Sequence, residues 1–378
     1  MKRLKVLHII SSFVTGGAEK LVVDLLTNHD TNKIEMAAVS FGPKMNYILE
    51  KELAEKGIDV YYLNKQKGFD VSIYFKLHKI FREFKPDVVH THLYVIRYTL
   101  LPALINRIPV MVHTIHNNIE SKEQNKLGIF VEKIAYHYFG MVPVAISESV
   151  RVSIIKTYDM AKNHIPIIIN GIDTSKYREV KKCPKNNQSV RLIHIGRLNK
   201  QKNHALLIDS FKNVIDGGYD VKLIIVGDGE LKEELIEKVN SLGISDKVTF
   251  LGIRSDIPEL LQASDFFVFS SNWEGLPLVV LEAMSAGLPI VSTKVGGIPE
   301  IVQDNVNGVL VEPGNQEMLV EAITKLLTDK QKLVQMGRKS RELASQYDVK
   351  QTQQNYEQLY NGLLNEKISL SWSQNEMS

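Results

Sequence analysis

The 378 residues contain one cysteine, Cys183, which excludes a disulfide framework and a cysteine-rich metal site. No run of about 18 apolar residues is present, so no transmembrane helix is predicted. The apolar stretch 6–10 is too short for the core of a signal peptide, and no small-residue cleavage pattern follows it. These absences predict a cytoplasmic protein, with any membrane contact peripheral on the inner face of the cytoplasmic membrane.

Two ligand motifs are also missing. The first strand-to-helix turn does not have the G-x-G-x-x-G spacing of a dinucleotide fold, which weakens the case for a nicotinamide cofactor. No Asp-x-Asp occurs, so a metal clamp of that type has no support in the sequence, and no metal cofactor is predicted. No basic motif interleaved with aromatic residues points to nucleic acid.

Short, continuous apolar runs alternate with amphipathic stretches along the whole chain, which is typical of α/β folds with buried parallel sheets. The predicted strands are 5–10, 35–40, 60–63, 88–91, 110–115, 142–146, 165–169, 190–195, 221–226, 248–251, 266–269, 289–292 and 308–311. The predicted helices include 18–28, 71–84, 205–216, 230–242, 278–286 and 351–364. The length favours two domains. The predicted boundaries are 1–172, a polar linker at 173–189, 190–350, and a C-terminal helix with a polar tail at 351–378.

Two loops that follow predicted strands carry candidate anion-binding groups. Gly16 and Gly17 lie where the first strand leads into a helix, where backbone N–H groups can meet an anion. Arg197 and Lys202 lie in the loop after the strand 190–195, at the edge of the sheet where doubly wound folds bind ligands. Two cations there can neutralise a diphosphate. The alternatives, a plain tight turn and two solvated surface cations, stay open.

The segment 271–289 is the most informative. Glu274 follows a predicted strand, Gly275 and a proline open a helix, and Glu282 lies inside that helix among apolar neighbours. A carboxylate in such a setting needs a partner, and the two hydroxyls of a ribose would provide one. The amides at Leu276 and Leu278 would offer donors to a phosphate. An ordinary salt bridge of Glu282 and paired-carboxylate hydrolysis are the competing interpretations.

Histidines cluster at the ends of two neighbouring strands. His90 and His92 share one face of the strand 88–91 and its end, whereas His113 and His116 flank the end of the next strand. A zinc site is one interpretation, although cysteine partners and a helical histidine pair are both lacking. A purely structural role is another.

Taken together, these motifs resemble those of the family 4 retaining glycosyltransferases, which have the GT-B fold: two Rossmann-like doubly wound α/β domains facing an inter-domain cleft. The resemblance extends from residue 5 to about 362. It rests on Gly16-Gly17-Ala-Glu19, Asn170-Gly-Ile-Asp173, Gly196-Arg197 with Lys202-Asn203, Val226-Gly-Asp-Gly229, Glu274 and Glu282, Ala286-Gly-Leu-Pro-Ile-Val, and Gly296-Gly-Ile-Pro-Glu300.

The resemblance implies an acceptor-binding N-terminal domain, a donor-binding C-terminal domain, and a final helix that returns to the first domain. It implies that Arg197 and Lys202 hold the diphosphate of a nucleotide sugar, while Glu282 holds its ribose and the backbone near Arg254 faces its base. Glu274 and the amides after it would contact the sugar, Gly16 and Gly17 would approach the phosphates, and His116 would lie near sugar and acceptor. Glu274 and His116 are the predicted catalytic residues.

The net charge divides unevenly, with +9 on residues 1–185 and −6 on the remainder. The basic half favours attraction to an anionic membrane or acceptor. The amphipathic segment 71–85 is a candidate for membrane contact, although a helix that packs its apolar face on the sheet would look the same. The leading hypothesis is transfer of a hexose or N-acetylhexosamine to a glycan or lipid-linked acceptor in capsule or exopolysaccharide biosynthesis, with a UDP-sugar as the expected donor. A nucleotide-sugar epimerase and a non-catalytic partner subunit are the alternatives.

Overall fold

The structure, a computed structural model, describes residues 3–14, 16–119, 126–177 and 189–375, with side chains described as far as residue 367. The chain divides into two compact units. Unit 1 comprises Met1–Gly171 and Val349–Ser378, and unit 2 comprises Ile172–Asp348. Residues 178–188 of the predicted linker, with Cys183, lie outside the described residues. The linker's first residues form a short 3-10 helix, Thr174–Lys176, within unit 2.

Unit 1 is built on a six-stranded parallel sheet with the order β3-β2-β1-β4-β5-β6. Its strands are β1 Leu4–Ile10, β2 Ile34–Ser40, β3 Val60–Tyr62, β4 Val88–His92, β5 Val110–Ile115 and β6 Val142–Ala145. Its helices are α1 Gly17–Thr27, α2 Ile48–Glu55, α3 Ser72–Phe84, α4 Ile96–Ile105, α5 Lys126–Tyr138 and α6 Glu148–Tyr158, together with the last helix of the chain. The central strands are buried along most of their length because helices cover the sheet.

Unit 2 repeats this design, with the strand order β12-β11-β10-β7-β8-β9. Its strands are β7 Val190–Ile195, β8 Val221–Val226, β9 Val248–Phe250, β10 Phe266–Phe269, β11 Ile290–Thr293 and β12 Gly308–Val311. Its helices are α7 His204–Asp216, α8 Lys232–Ser241, α9 Ile257–Gln262, α10 Leu278–Ser285, α11 Ile298–Ile301, α12 Gln316–Thr328 and α13 Lys330–Ala344. The two parallel sheets confirm the predicted α/β class.

The last helix, α14 Val349–Asn375, packs in unit 1 against α1 and β5. Its Tyr356 and Tyr360 are each 1% exposed. The Thr114 hydroxyl on β5 and the Tyr356 hydroxyl on α14 lie 2.8 Å apart. The aromatic residues spaced along α14 are therefore core residues of unit 1.

One predicted strand is wrong, and the structure decides between the two interpretations of the segment 71–85. The segment 165–169 is not a strand: it makes one isolated bridge, between Ala145 and Ile167. Pro166 lacks the N–H that a longer ladder would need. The apolar face of α3 is buried against the unit, since Ile73, Leu77 and Phe81 are at most 1% exposed. That face is closed to a bilayer, as the alternative of sheet packing predicted.

No helix in the described part of the chain is both long and apolar enough to cross a membrane.

Candidate functional site

The carboxyl edge of the unit 2 sheet carries most of the predicted site residues. Strand order reverses between β7 and β10, and in doubly wound sheets ligands bind outside the strand ends at such a point. The loop 196–203 follows β7, and the loop 270–277 follows β10. The fold alone therefore brings these two loops side by side.

Hydrogen bonds hold the two loops together. The backbone N–H of Asn272 donates to the Gln201 carbonyl at 2.8 Å, and the side-chain amide of Gln201 donates to the Trp273 carbonyl at 3.0 Å. The Ser270 hydroxyl donates to the Lys202 carbonyl at 2.9 Å. Because each loop is tied to the other, their backbones are held in fixed positions relative to one another.

Lys202 and Glu274 form an ion pair between the two loops, with the Lys202 Nζ and Glu274 Oε1 atoms 2.6 Å apart. The side chains are only 13% and 5% exposed. The ammonium also lies 4.7 Å from the centroid of the Phe269 ring, within the range of a cation–π contact. The sequence predicted both residues as ligand contacts but not their contact with each other.

The two predicted arginines lie at the surface. The Arg197 side chain is 72% exposed, and its Nε lies 3.7 Å from Glu230. Arg254 makes two hydrogen bonds of 2.7 Å to Asp256, two residues away. Exposed ion pairs of this kind contribute little to stability, so either guanidinium can exchange its partner for an anionic ligand at small cost.

Helix α10 begins at Leu278, directly after the loop that carries Glu274 and Gly275. The side chains of Leu276 and Leu278 are buried, so these residues can offer a ligand only their backbone groups. Glu282 lies on α10 and is partly buried. The structure thus places the carboxylates of Glu274 and Glu282 on one loop and the helix that follows it, with the start of the helix between them in sequence.

Two glycines allow the loops at this edge to pack backbone to backbone. A Cβ on Gly227 would lie 2.0 Å from the Gly196 carbonyl oxygen, and one on Gly296 would lie 2.1 Å from that of Glu274. Both glycines have positive φ, 136° and 56°. Gly296 therefore lets the turn after β11 support the Glu274 loop, and Gly227 does the same for the Arg197 loop.

The unit 1 sheet reverses its strand order between β1 and β4. Gly16 precedes α1 and Gly17 is its first residue. A Cβ on Gly17 would meet no atom within 4 Å, so the space above this turn is open. Thr15 lies outside the described residues. The open side at Gly17 fits the predicted approach of an anion, whereas a Cβ on Gly16 would lie 2.4 Å from the Glu19 carboxylate.

Three histidines form a hydrogen-bonded chain at the same edge of unit 1. His8 Nδ1 lies 3.1 Å from His92 Nε2, and His92 Nδ1 lies 3.1 Å from His116 Nε2. His8 and His92 have no solvent exposure, whereas His116, at the end of the chain, is 9% exposed. His116 is therefore the one ring of the three with any solvent exposure.

His90 lies beside this chain but bonds elsewhere. Its Nδ1 lies 2.6 Å from the Tyr360 hydroxyl, and its Nε2 lies 2.7 Å from the Thr114 hydroxyl. One nitrogen each of His8, His90 and His92 lies within 4.8 Å of the others, a set that shares only His90 and His92 with the four histidines of the zinc interpretation. A metal bound at about 2.1 Å from each nitrogen would have to displace these hydrogen bonds.

Burial keeps all these imidazoles neutral. It lowers the pKa of His8 and His116 to about 3, with a smaller contribution from His29 at His8. Burial also holds the pKa of His90 and His92 well below 6.5, and neighbouring histidines add to the effect. At neutral pH, His116 can donate or accept one hydrogen bond at its remaining nitrogen but carries no charge.

The sequence motifs include neither His8 nor, in unit 2, His194. His8 pairs in register with His90 across β1 and β4, a contact between residues far apart in the chain. His194 is buried in β7 and donates from Nδ1 to the Val268 carbonyl at 3.0 Å. Each is a polar residue inside a central apolar strand, and that pattern was the available signal.

Comparison with known proteins gives matches to both units. A family model described as "Glycosyltransferase Family 4" matches residues 15–176, and one described as "Glycosyl transferases group 1" matches residues 175–343. An uncharacterized glycosyltransferase of Methanocaldococcus jannaschii is 33% identical over 69% of this chain and 72% of the relative.

Two further proteins extend the comparison. The UDP-Gal:alpha-D-GlcNAc-diphosphoundecaprenol alpha-1,3-galactosyltransferase of Escherichia coli is 26% identical over 87% of this chain and 89% of its own. The crystal structure of Anabaena HepE in complex with UDP-glucose superposes with a TM-score of 0.84 at 24% identity, covering 95% of this chain and all of that one. The fold is therefore GT-B.

Proposed function

The chain belongs to glycosyltransferase family 4, and on that premise we propose that it transfers a hexose or N-acetylhexosamine from a UDP-sugar to a hydroxyl of a glycan or lipid-linked acceptor. The observation that carries the proposal is the buried Lys202–Glu274 pair at the point where the unit 2 sheet reverses its order. Capsule or exopolysaccharide biosynthesis is the proposed setting.

The UDP-sugar is proposed from two of the similar proteins. One is named for UDP-Gal and a diphosphoundecaprenol acceptor, and another was crystallised with UDP-glucose. The acidic balance of the C-terminal half does not favour a diphosphate, so local cations must bind it. Arg197 and Lys202 are the proposed pair, because both lie in the loop after β7.

The remaining donor contacts follow the order of the elements. Glu282 binds the ribose, and the backbone near Arg254 faces the base. Glu274, Gly275 and the amides of Leu276 and Leu278 contact the diphosphate end and the sugar. In unit 1, Gly16 and Gly17 contact the phosphates, and His116 hydrogen-bonds a hydroxyl of the sugar or acceptor.

We propose that the reaction retains the anomeric configuration and needs no metal. The bond between the anomeric carbon and the diphosphate oxygen breaks while an acceptor oxygen bonds to the same face of that carbon. The acceptor proton passes to the departing diphosphate. Charge accumulates on the leaving group, so cations fixed near it lower the barrier more than they bind the ground state. Glu274 holds the Lys202 ammonium in place for this task.

A thermal-shift panel of nucleotide sugars tests the donor assignment. A ligand at 100 times its Kd stabilises the folded protein by about 2.7 kcal/mol, and we expect UDP and UDP-sugars to give the largest shifts. Arg197→Ala and Lys202→Ala should weaken UDP binding, whereas Lys212→Ala, in an exposed pair on α7, should not. Unchanged UDP affinity in both site variants would contradict the assignment.

Product analysis tests the reaction. We expect an α-linked product from an α-linked donor, formed equally well in the presence of a chelator. An epimerised sugar nucleotide formed without acceptor would indicate an epimerase instead. Binding of UDP without turnover across a panel of donors and lipid-linked acceptors would indicate a non-catalytic subunit.

We further propose peripheral contact with an anionic membrane, through helices α3, α4 and α5, which pack side by side. Their outer surfaces expose large apolar side chains, with Phe75 71%, Leu101 53%, Ile105 60% and Phe130 60% exposed. Exposed basic residues accompany them: Lys76, Lys79, Arg82, Lys126 and Lys133. Apolar residues among basic ones are typical of surfaces that insert at anionic headgroups.

Vesicle co-sedimentation tests this contact. Binding should require anionic lipid and fall as salt rises. Leu101→Glu combined with Ile105→Glu should abolish it, while Val306→Glu, at an exposed apolar site of unit 2, should leave it unchanged. Equal binding of all three proteins would contradict the proposed surface.

A further inference from the structure

The proposed role of His116 depends on a property that the hydrogen-bonded chain behind it controls. A neutral imidazole has one N–H and one lone pair. His116 Nε2 faces His92, so its Nδ1 meets a ligand either as a donor or as an acceptor, depending on where the proton lies. The two cases would recognise opposite groups on a substrate.

The chain allows two arrangements. In one, His8 donates from Nδ1 to His92, His92 donates from Nδ1 to His116, and His116 carries its proton on Nδ1. In the other, each proton lies on Nε2 and the direction of donation reverses. One tautomer change must propagate through all three rings, because every nitrogen between them is paired.

The buried end of the chain favours the first arrangement. His8 Nε2 has no hydrogen-bond partner among the described residues. In the second arrangement that atom would be a buried N–H without an acceptor, and such orphaned donors are rarer than orphaned acceptors. The first arrangement leaves only a bare lone pair there.

Unit 2 shows the same choice in its own first strand. His194 Nδ1 faces the Val268 carbonyl, which can only accept, so the proton of His194 lies on Nδ1. Its Nε2 is likewise buried without a partner among the described residues. The protein therefore contains, in unit 2, a second buried strand histidine whose Nε2 lone pair has no partner among the described residues.

We propose that His8 and His92 are positioning residues that hold His116 in its Nδ1-protonated tautomer, so that His116 presents a hydrogen-bond donor to an oxygen of the bound substrate. The inference rests on the proposed function, in which His116 contacts the sugar or acceptor. It goes beyond that function by assigning His8 and His92, which the sequence-based site did not include, and by fixing the polarity of the contact.

Nitrogen NMR of the full chain with labelled histidine rings tests the tautomer without any substrate. In the wild type, we expect a protonated, pyrrole-type signal for His116 Nδ1 and an unprotonated, pyridine-type signal for Nε2. The His116→Gln variant assigns these signals by their loss. A pyrrole-type signal at His116 Nε2 in the wild type would overturn the proposal.

Two substitutions of His8 place either a donor or an acceptor opposite His92 Nε2. The amide of Asn lies where the Nδ1 atom of His8 lies, so His8→Asn should keep a donor to His92 and preserve the tautomer of His116. The carboxylate of His8→Asp can only accept there, so His92 should donate from Nε2 and His116 should shift toward Nε2 protonation, although residue 8 does not hydrogen-bond His116. His113→Asn, which alters a buried histidine bonded to Thr91, should leave the His116 signals unchanged. Identical His116 signals in His8→Asp and the wild type would refute the hydrogen-bonded histidine chain.

Transfer assays then connect the tautomer to the reaction. For His8→Asp we expect a loss of about 10–100-fold in kcat with little change in the donor KM, similar to the cost of losing a partner that orients a metal-bound histidine. His8→Asn should keep most of the activity. A tautomer shift with full activity would support the hydrogen-bonded histidine chain but remove His116 from the proposed function. The positioning role and the proposed function can therefore fail separately.

Discussion

The two units share a strand order but differ in the chemistry of their carboxyl edges. At the reversal point, unit 1 presents buried neutral histidines, and unit 2 presents a buried ion pair with arginines at the surface. One topology thus supports a neutral edge and a charged edge. The fold decides where a ligand can lie, and the residue types at the strand ends decide which ligand it can be.

We expect acid to produce the largest difference in stability between the two units. Burial lowers the pKa of five fully buried unit 1 histidines, His8, His90, His92, His113 and His116, of the half-buried His29, and of two histidines in unit 2, His194 and His204. Their stabilising contribution is complete above about pH 6.5. It is lost as the pH falls toward their pKa values in the folded state, because the unfolded chain binds protons first. Each buried histidine costs about 1.4 kcal/mol per pH unit in that range.

Hydrogen exchange measured by peptide at pH 7 and pH 5 checks this prediction. We expect unit 1 to lose protection well before unit 2. Glu132, whose pKa is raised by burial, acts in the opposite direction, because the folded unit takes up this proton at a higher pH than the unfolded chain does. Equal loss of protection in the two units would contradict the difference in histidine burial.

The ion pair provides the next largest effect. Lys202→Met should lower kcat by about 100–1,000-fold, the cost of removing a fixed group that stabilises developing charge. It should also destabilise unit 2 by about 3–5 kcal/mol, because Glu274 is left buried and unpaired. The double variant Lys202→Met with Glu274→Gln should recover stability but not transfer. Recovery of both in the same assays would assign the pair a purely structural role.

Backbone packing at the two edges gives a smaller contrast. Gly296→Ala should destabilise unit 2 by about 2–4 kcal/mol, since positive φ and overlap with the Glu274 carbonyl both oppose a Cβ. Gly17→Ala in unit 1 meets no atom and should leave stability unchanged while weakening UDP binding. Gly243→Ala, at positive φ in open space, is the control for backbone strain alone. Thermal melts and UDP titrations measure both effects.

The smallest expected effect concerns α14. Tyr360→Phe removes the hydroxyl that pairs with His90 Nδ1 and should cost about 1 kcal/mol. Hydrogen exchange should show the loss in unit 1 peptides only. A comparable loss in unit 2 peptides would contradict the assignment of α14 to unit 1.

The sequence predicted most of the strands because buried parallel strands are continuous apolar runs, and it indicated the candidate loops because their motifs are local. It missed the Lys202–Glu274 contact, since 72 residues separate the partners and only strand order brings them together. It missed His8 for the same reason. The prediction of a strand at 165–169 was wrong because the apolar pattern does not show that Pro166 lacks the N–H that a strand ladder needs.

The return of α14 has a consequence for the order of synthesis. Residues 172–348 form one continuous segment, and its ends meet, with Ile172 bridged to Asp348. A ribosome therefore completes every residue of unit 2 before it makes the helix whose tyrosines bond His90 and Thr114. The unit that begins first is finished last. Until then its histidine-rich sheet lacks one covering helix, and a nascent chain released before residue 349 would carry a complete unit 2 beside an unfinished unit 1.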